Sequence, residues 1–139
     1  MQMLWEWANE APEDKIYDKY GVGPGDIRVY ADLFEWLGTA ASRLAAAVEL
    51  PERARGVLRA TYRVVYGVKE ELLELVLNLR GVGRVRARAL FQAGYRTLAD
   101  VARARPSDIA RLPGFGERLA ASVVEQARAA SGLKQAEGL

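Results

Sequence analysis

The residues that could do chemistry in this chain gather around two glycine turns. Gly81-Val82-Gly83 and Gly114-Phe115-Gly116 stand 33 positions apart, and their flanks repeat in the same register: Leu79 with Leu112, Ala87 with Ala120, Leu90 with Val123. A repeat of this kind marks one supersecondary unit used twice. A Gly-apolar-Gly turn is tight enough to need positive φ, and it leaves no Cβ between the backbone and a ligand. It also leaves the first N–H groups of the following helix pointing outward, where a phosphate oxygen can accept from them. Arg80, Arg84, Arg86 and Arg88 surround the first turn, so the chemistry on offer at Gly81, Val82 and Gly83 is binding of a polyanion. The second turn has Pro113 and Glu117 where the first has Arg80 and Arg84. A carboxylate there repels phosphate, so the second turn reads as mainly structural. The plainer alternative for both is an αα-hairpin with a glycine corner.

Much other chemistry is excluded by composition. The 139 residues contain neither cysteine nor histidine, which removes disulfides, thiolate metal sites and imidazole acid–base catalysis. No catalytic residue and no metal site is expected. The Gly21-Val22-Gly23-Pro24-Gly25 loop lacks the Gly-x-x-x-x-Gly-Lys-Ser/Thr order of a phosphate loop and follows no strand, so it reads as a helix break. Met1-Gln2-Met3-Leu4-Trp5-Glu6 has neither the basic start nor the apolar stretch of a secretory signal, and no apolar run is long enough to span a bilayer. A cytoplasmic protein without membrane association is expected. The net charge of +2 conceals an asymmetry. Residues 1–37 carry three basic against eight acidic side chains, whereas residues 79–105 carry seven arginines against Asp100 alone. The first glycine turn lies inside that basic block, which tilts the reading from a solvated helix face toward phosphate contact.

The elements that must position these residues all read as helices. No stretch alternates with period two between turn signals, so the expected class is all-α, with a helical bundle portion followed by a tandem helix-hairpin-helix. The expected organisation is a helical segment over 1–66 containing a long helix over 26–50, the tandem over 67–131, and a flexible tail over 132–139. Within it, Pro12 opens a short helix to about Tyr20, Pro51 opens another through Tyr66, and 68–79 reads as one amphipathic helix. On the long helix, Ile27, Tyr30, Ala31, Phe34, Leu37, Ala41, Leu44, Ala45 and Val48 form one apolar stripe. Trp36 falls ~140° from the middle of it, beside Asp32, Thr39 and Arg43, with Arg28 somewhat further round. Two readings stay open: the indole stacks on a nucleobase with a guanidinium nearby, or it packs against the N-terminal helix or another domain.

Read together, several stretches resemble the C-terminal part of the archaeal Ski2-like superfamily-2 DNA helicases that act at stalled forks (the Hjm type). They are Ile16-Tyr17-Asp18-Lys19-Tyr20-Gly21-Val22-Gly23-Pro24-Gly25-Asp26-Ile27, then Glu35-Trp36-Leu37, then Tyr66-Gly67-Val68-Lys69-Glu70-Glu71-Leu72-Leu73-Glu74-Leu75, then Arg80 through Arg88. The resemblance runs from about Trp5 to Ala130. It implies the end of a helical ratchet domain followed by a helix-hairpin-helix domain, with two ATP-driven motor domains and a winged helix elsewhere in the protein. It further implies that the long helix lies across a translocating single strand and offers Trp36 for stacking. The family's arginine seven residues before that tryptophan is Val29 here; Arg28 stands one step earlier, and Arg43 can substitute on geometry. The first hairpin, through Gly81, Gly83, Arg84, Arg86 and Arg88, would grip the emerging 3′ tail and modulate unwinding rather than drive it. Single-stranded or forked DNA and the motor domains are the partners implied. ATP and magnesium are expected only of those motors, and a monomer is expected. Two other classes share these features: a helix-hairpin-helix dimerisation module, and a fragment of an RNA-processing helicase.

Overall fold

A computed structural model describes the backbone of residues 1–137 and the burial of side chains through Gly132. The chain divides into two compact units, Met1–Leu73 and Glu74–Leu139. Every regular element among the described residues is helical.

The first unit holds α1 (Gln2–Ala8), α2 (Glu13–Tyr20), α3 (Pro24–Ala47), α4 (Pro51–Tyr66) and a single 3-10 turn, Glu70–Leu72. Gly21 ends α2 in the left-handed region at φ 66°, and Pro24 starts α3 two residues earlier than the sequence suggests. The Asp26 carboxylate reaches back to accept from the Gly23 N–H at 3.3 Å, stabilising the positive end of α3. Trp7, Ile16 and Ile27 form a small core, with Met3, Ala11, Tyr20 and Val22 packed on it. The Trp7 indole N–H donates to the Val64 carbonyl at 2.9 Å, tying α1 to α4. Glu6 of α1 meets Lys19 at 2.5 Å and the Tyr20 hydroxyl at 3.0 Å, tying α1 to α2.

Helices α3 and α4 pack along each other, and the seam departs from the expected apolar stripe. Ile27 and Ala31 are buried as anticipated, but Tyr30, Leu37, Leu44 and Val48 are exposed. The third buried residue of α3 is Gly38, whose hydrogen faces Thr61 of α4 so closely that an added Cβ would overlap that side chain, 2.8 Å from the Thr61 Cβ. The buried Thr61 hydroxyl donates to the Val57 carbonyl at 2.7 Å, and Ser42 donates to the Ala54 carbonyl at 3.0 Å. The two axes therefore approach through small residues, and the bulky ones are turned out of the seam.

The second unit holds α5 (Leu73–Asn78, which begins one residue before it), α6 (Arg84–Gln92), α7 (Leu98–Arg103), α8 (Pro106–Ala110) and α9 (Glu117–Glu137). Leu75, Val76, Leu79, Ala87, Leu90, Val101, Ile109, Ala120, Val123, Val124 and Ala127 are its main buried residues. Thr97 caps α7 by accepting from the Asp100 N–H at 3.1 Å, while Asp100 accepts in return from the Arg96 and Thr97 N–H groups, each at 3.1 Å. The Arg96 N–H holds the Asp100 carboxyl below its ordinary pKa. Helix α9 continues to Glu137, past the expected end of the tandem at residue 131, so the backbone of the segment expected as a tail is helical as far as that residue. Gly138 and Leu139, and side chains from 133 onward, lie outside the described residues.

Candidate nucleic-acid interface

The two glycine turns are built alike. The first glycine of each takes positive φ, 86° at Gly81 and 81° at Gly114, a conformation that a side chain would strain. The central residue, Val82 or Phe115, is buried and anchors the turn in the core. Val82 thus offers a ligand only its backbone. The second glycine of the first turn, Gly83, stands immediately before α6 in extended conformation, and no side chain caps that helix. The equivalent Gly116 accepts from the Ala120 N–H at 2.9 Å, as Gly83 accepts from Ala87 at 2.9 Å. The backbone geometry needed for phosphate contact is therefore present in both halves of the repeat, and side chains distinguish them.

In the first half, Arg80 is exposed, and its backbone is clamped by the Gln126 amide, which accepts from its N–H at 2.8 Å and donates to its carbonyl at 3.3 Å. Arg84 opens α6 and is half-exposed. Arg88, one turn further along, lies with its guanidinium 5.1 Å from the centre of the Phe91 ring. Arg96 approaches the same ring at 5.0 Å. The structure therefore brings Arg96 into the basic cluster, although in sequence it stands eight residues beyond Arg88. Arg86 does something different: its Nε donates to the Gly114 carbonyl at 2.7 Å and its Nη1 to the Gly81 carbonyl at 3.0 Å. In the second half, the exposed Glu117 occupies the first turn of α9. Arg103 is neutralised by Asp100 at 2.8 Å.

Trp36 is 68% exposed on α3, so it does not pack against α1. Its neighbours on the same outer surface, Val29, Leu33 and Leu37, are exposed as well. Arg28 lies one turn before Asp32 and pairs with it at 3.5 Å, both side chains remaining open to solvent. Arg43 is exposed two turns beyond Trp36, on the same side of the helix. Either arginine lies within a helical face shared with the indole.

Residues 1–67 match the family described as archaeal helicase, domain 4, and residues 73–129 match the SAM-like helix-hairpin-helix tandem. The chain is similar to part of the archaeal Hel308 DNA helicases. It is 61% identical over 126 residues to the ATP-dependent DNA helicase Hel308 of Pyrobaculum calidifontis, an alignment covering 91% of this chain and 18% of that protein. The Hel308 of Caldivirga maquilingensis is 54% identical over 89% of this chain and 16% of its own length. That of Thermoplasma acidophilum is 39% identical over 91% and 18% respectively. The chain thus spans less than a fifth of the length of the curated relatives it matches. No described helix is long and apolar enough to cross a membrane.

Proposed function

We propose that this chain is a DNA-binding accessory region of an ATP-dependent 3′-to-5′ DNA helicase acting in fork repair and recombination, and that it contacts single-stranded or forked DNA without sequence preference. The observation that carries the reading is the first hairpin: a positive-φ glycine, an uncapped helix start at Gly83 and a cluster of arginines on one turn. Backbone donors and guanidinium groups of this kind bind phosphates and ignore base identity. Gly81, Gly83, Arg80 and Arg84 supply the phosphate grip, and Arg88 extends it. Trp36 supplies a stacking platform, with Arg28 or Arg43 for the adjacent phosphate. The relatives' name, ATP-dependent DNA helicase, supports DNA over RNA as the partner. Motor domains elsewhere in the polypeptide would hold ATP and magnesium; this chain presents no phosphate-loop lysine for them.

The test is fluorescence anisotropy with two labelled single strands of unrelated sequence over a salt series. Arg84→Ala should weaken binding to both by about 0.5–1.5 kcal/mol and lower the log–log salt slope by roughly 0.7. Glu117→Ala should leave binding unchanged or slightly tighter. Greater dependence on Glu117 than on Arg84 would reverse the assignment of the hairpins. Sedimentation as a dimer with no affinity for DNA would support a dimerisation module instead.

A further inference from the structure

The internal repeat predicts which residues should occupy equivalent places across the tandem, and one pair differs in chemistry. Adding the repeat length to Arg86 gives Leu119, and adding it to Gly81 gives Gly114. The structure shows the corresponding contacts crossing over. Leu119 packs against Gly81, its Cδ1 2.9 Å from where a Cβ would stand, and Arg86 packs over Gly114, its Cγ 3.4 Å from the equivalent point. Each hairpin thus receives a side chain from the helix that follows the other. In one direction the contact is a plain apolar one. In the other, a cation donates to the carbonyl of each turn, Gly114 through Nε and Gly81 through Nη1.

The planar guanidinium is suited to this. Its donors point in fixed, divergent directions, so a single side chain can span two acceptors on different turns, which a lysine ammonium on a flexible stem does poorly. A hydrogen bond to a charged donor is also stronger than a neutral one. We propose that Arg86 is a positioning residue: it locks the two glycine turns together and fixes the first in its DNA-gripping conformation, rather than serving mainly as a phosphate ligand. The proposal rests on the reading of the first hairpin as a DNA contact. It adds a role for the second hairpin, which supplies a carbonyl anchor instead of a phosphate site.

The experiment compares the wild-type chain with Arg86→Lys, Arg86→Ala and Arg84→Ala. The first arm measures binding of a fluorescein-labelled oligothymidylate across a potassium chloride series. Arg86→Lys, which keeps the charge, should weaken binding about threefold to tenfold, close to the loss in Arg86→Ala, and neither should alter the salt slope. Arg84→Ala should lower that slope by roughly 0.7. Wild-type affinity in Arg86→Lys, together with a reduced slope in Arg86→Ala, would make Arg86 a direct phosphate contact and overturn the proposal. The second arm uses no DNA. Amide chemical shifts of Gly81, Gly83, Gly114 and Gly116 should all move in Arg86→Lys, with the far-ultraviolet circular dichroism unchanged. Movement in the first turn alone, or in neither, would overturn the bridge. Failure of the wild-type chain to bind any strand would refute the DNA reading, while the second arm would still decide the bridge.

Discussion

Replacing Trp36 by alanine separates a binding residue from a packing residue, and the structure sets the scale of both effects. The residue is 68% exposed, so about a third of its surface is covered. A tryptophan can bury at most roughly 250 Å², so the covered part is about 80 Å². At about 25 cal/mol per Å² this gives an upper bound near 2 kcal/mol. Part of that cover comes from the residue's own helix, and alanine is the better helix former by about 0.5 kcal/mol. The expected loss of stability is therefore under about 1.5 kcal/mol. Trp7 provides the contrast. It is 8% exposed and donates to Val64, so Trp7→Ala should cost about 3–5 kcal/mol. For DNA the order reverses. Loss of a stacking platform costs about 1–3 kcal/mol, or roughly fivefold to 150-fold in affinity. The assay is thermal melting of each variant, followed by titration with an oligonucleotide while monitoring tryptophan emission in a Trp5→Phe background. Trp7 is buried and should give a constant blue-shifted signal, so the quench reports Trp36. Arg43→Ala or Arg28→Ala should weaken that quench, whichever guanidinium partners the strand. A large drop in melting temperature on Trp36→Ala, with no quench in the parent, would refute the reasoning.

Four further outcomes follow from the structure and the sequence. Gly38→Val should destabilise the first unit by about 1–3 kcal/mol or more, because its side chain would force α3 away from Thr61; chemical denaturation measures this. Thr97→Ala should remove the cap of α7 at a cost of about 1 kcal/mol. Because the Asp100 carboxyl is held below its ordinary pKa by the Arg96 N–H, its contribution is fully present above the unfolded-state value and is lost as the pH falls through the lowered one. Melting temperature against pH should therefore decline on the acid side, less steeply in Asp100→Asn. The chain alone should release no phosphate from ATP, with or without single strands; turnover that follows the protein through successive columns would contradict that.

The sequence made the tandem legible because its signals are local. Glycine at a positive-φ turn, an apolar residue between two glycines and a small residue facing inward need only a few neighbours to be recognised, and they recur. The helix start at Pro51 was legible for the same reason. What stayed hidden depended on partners distant in sequence. The α3 stripe rests on its largest apolar residues, yet the close crossing with α4 selects Gly38 and Ser42, and no single-helix wheel reveals which face a partner will approach. Helix α3 ends at Ala47, followed by Glu49 at φ 60°, a left-handed stop without the usual glycine. The same irregularity at Glu10, φ 70°, follows the end of α1, where the Asn9 side-chain amide donates to the Trp5 carbonyl at 2.7 Å. The pattern from 68 to 79 suggests one helix. It is divided because Lys69 is extended and a 3-10 turn over Glu70–Leu72 precedes α5. Arg86 shows the limit most clearly. Its charge and spacing point to phosphate, and only the fold reveals that the carbonyls of both turns lie within its reach.

The central claim is that the first hairpin and the exposed face of α3 are the DNA-binding surfaces. The most direct measurement is a nitrogen–proton correlation spectrum of the uniformly labelled chain, recorded during titration with a short single strand. The account predicts progressive shifts of the Gly81, Gly83 and Arg84 amides and of the Trp36 indole N–H, with smaller changes around Gly116 and Glu117. Shifts concentrated at Gly116 and Glu117, or a spectrum unchanged at saturating DNA, would contradict it.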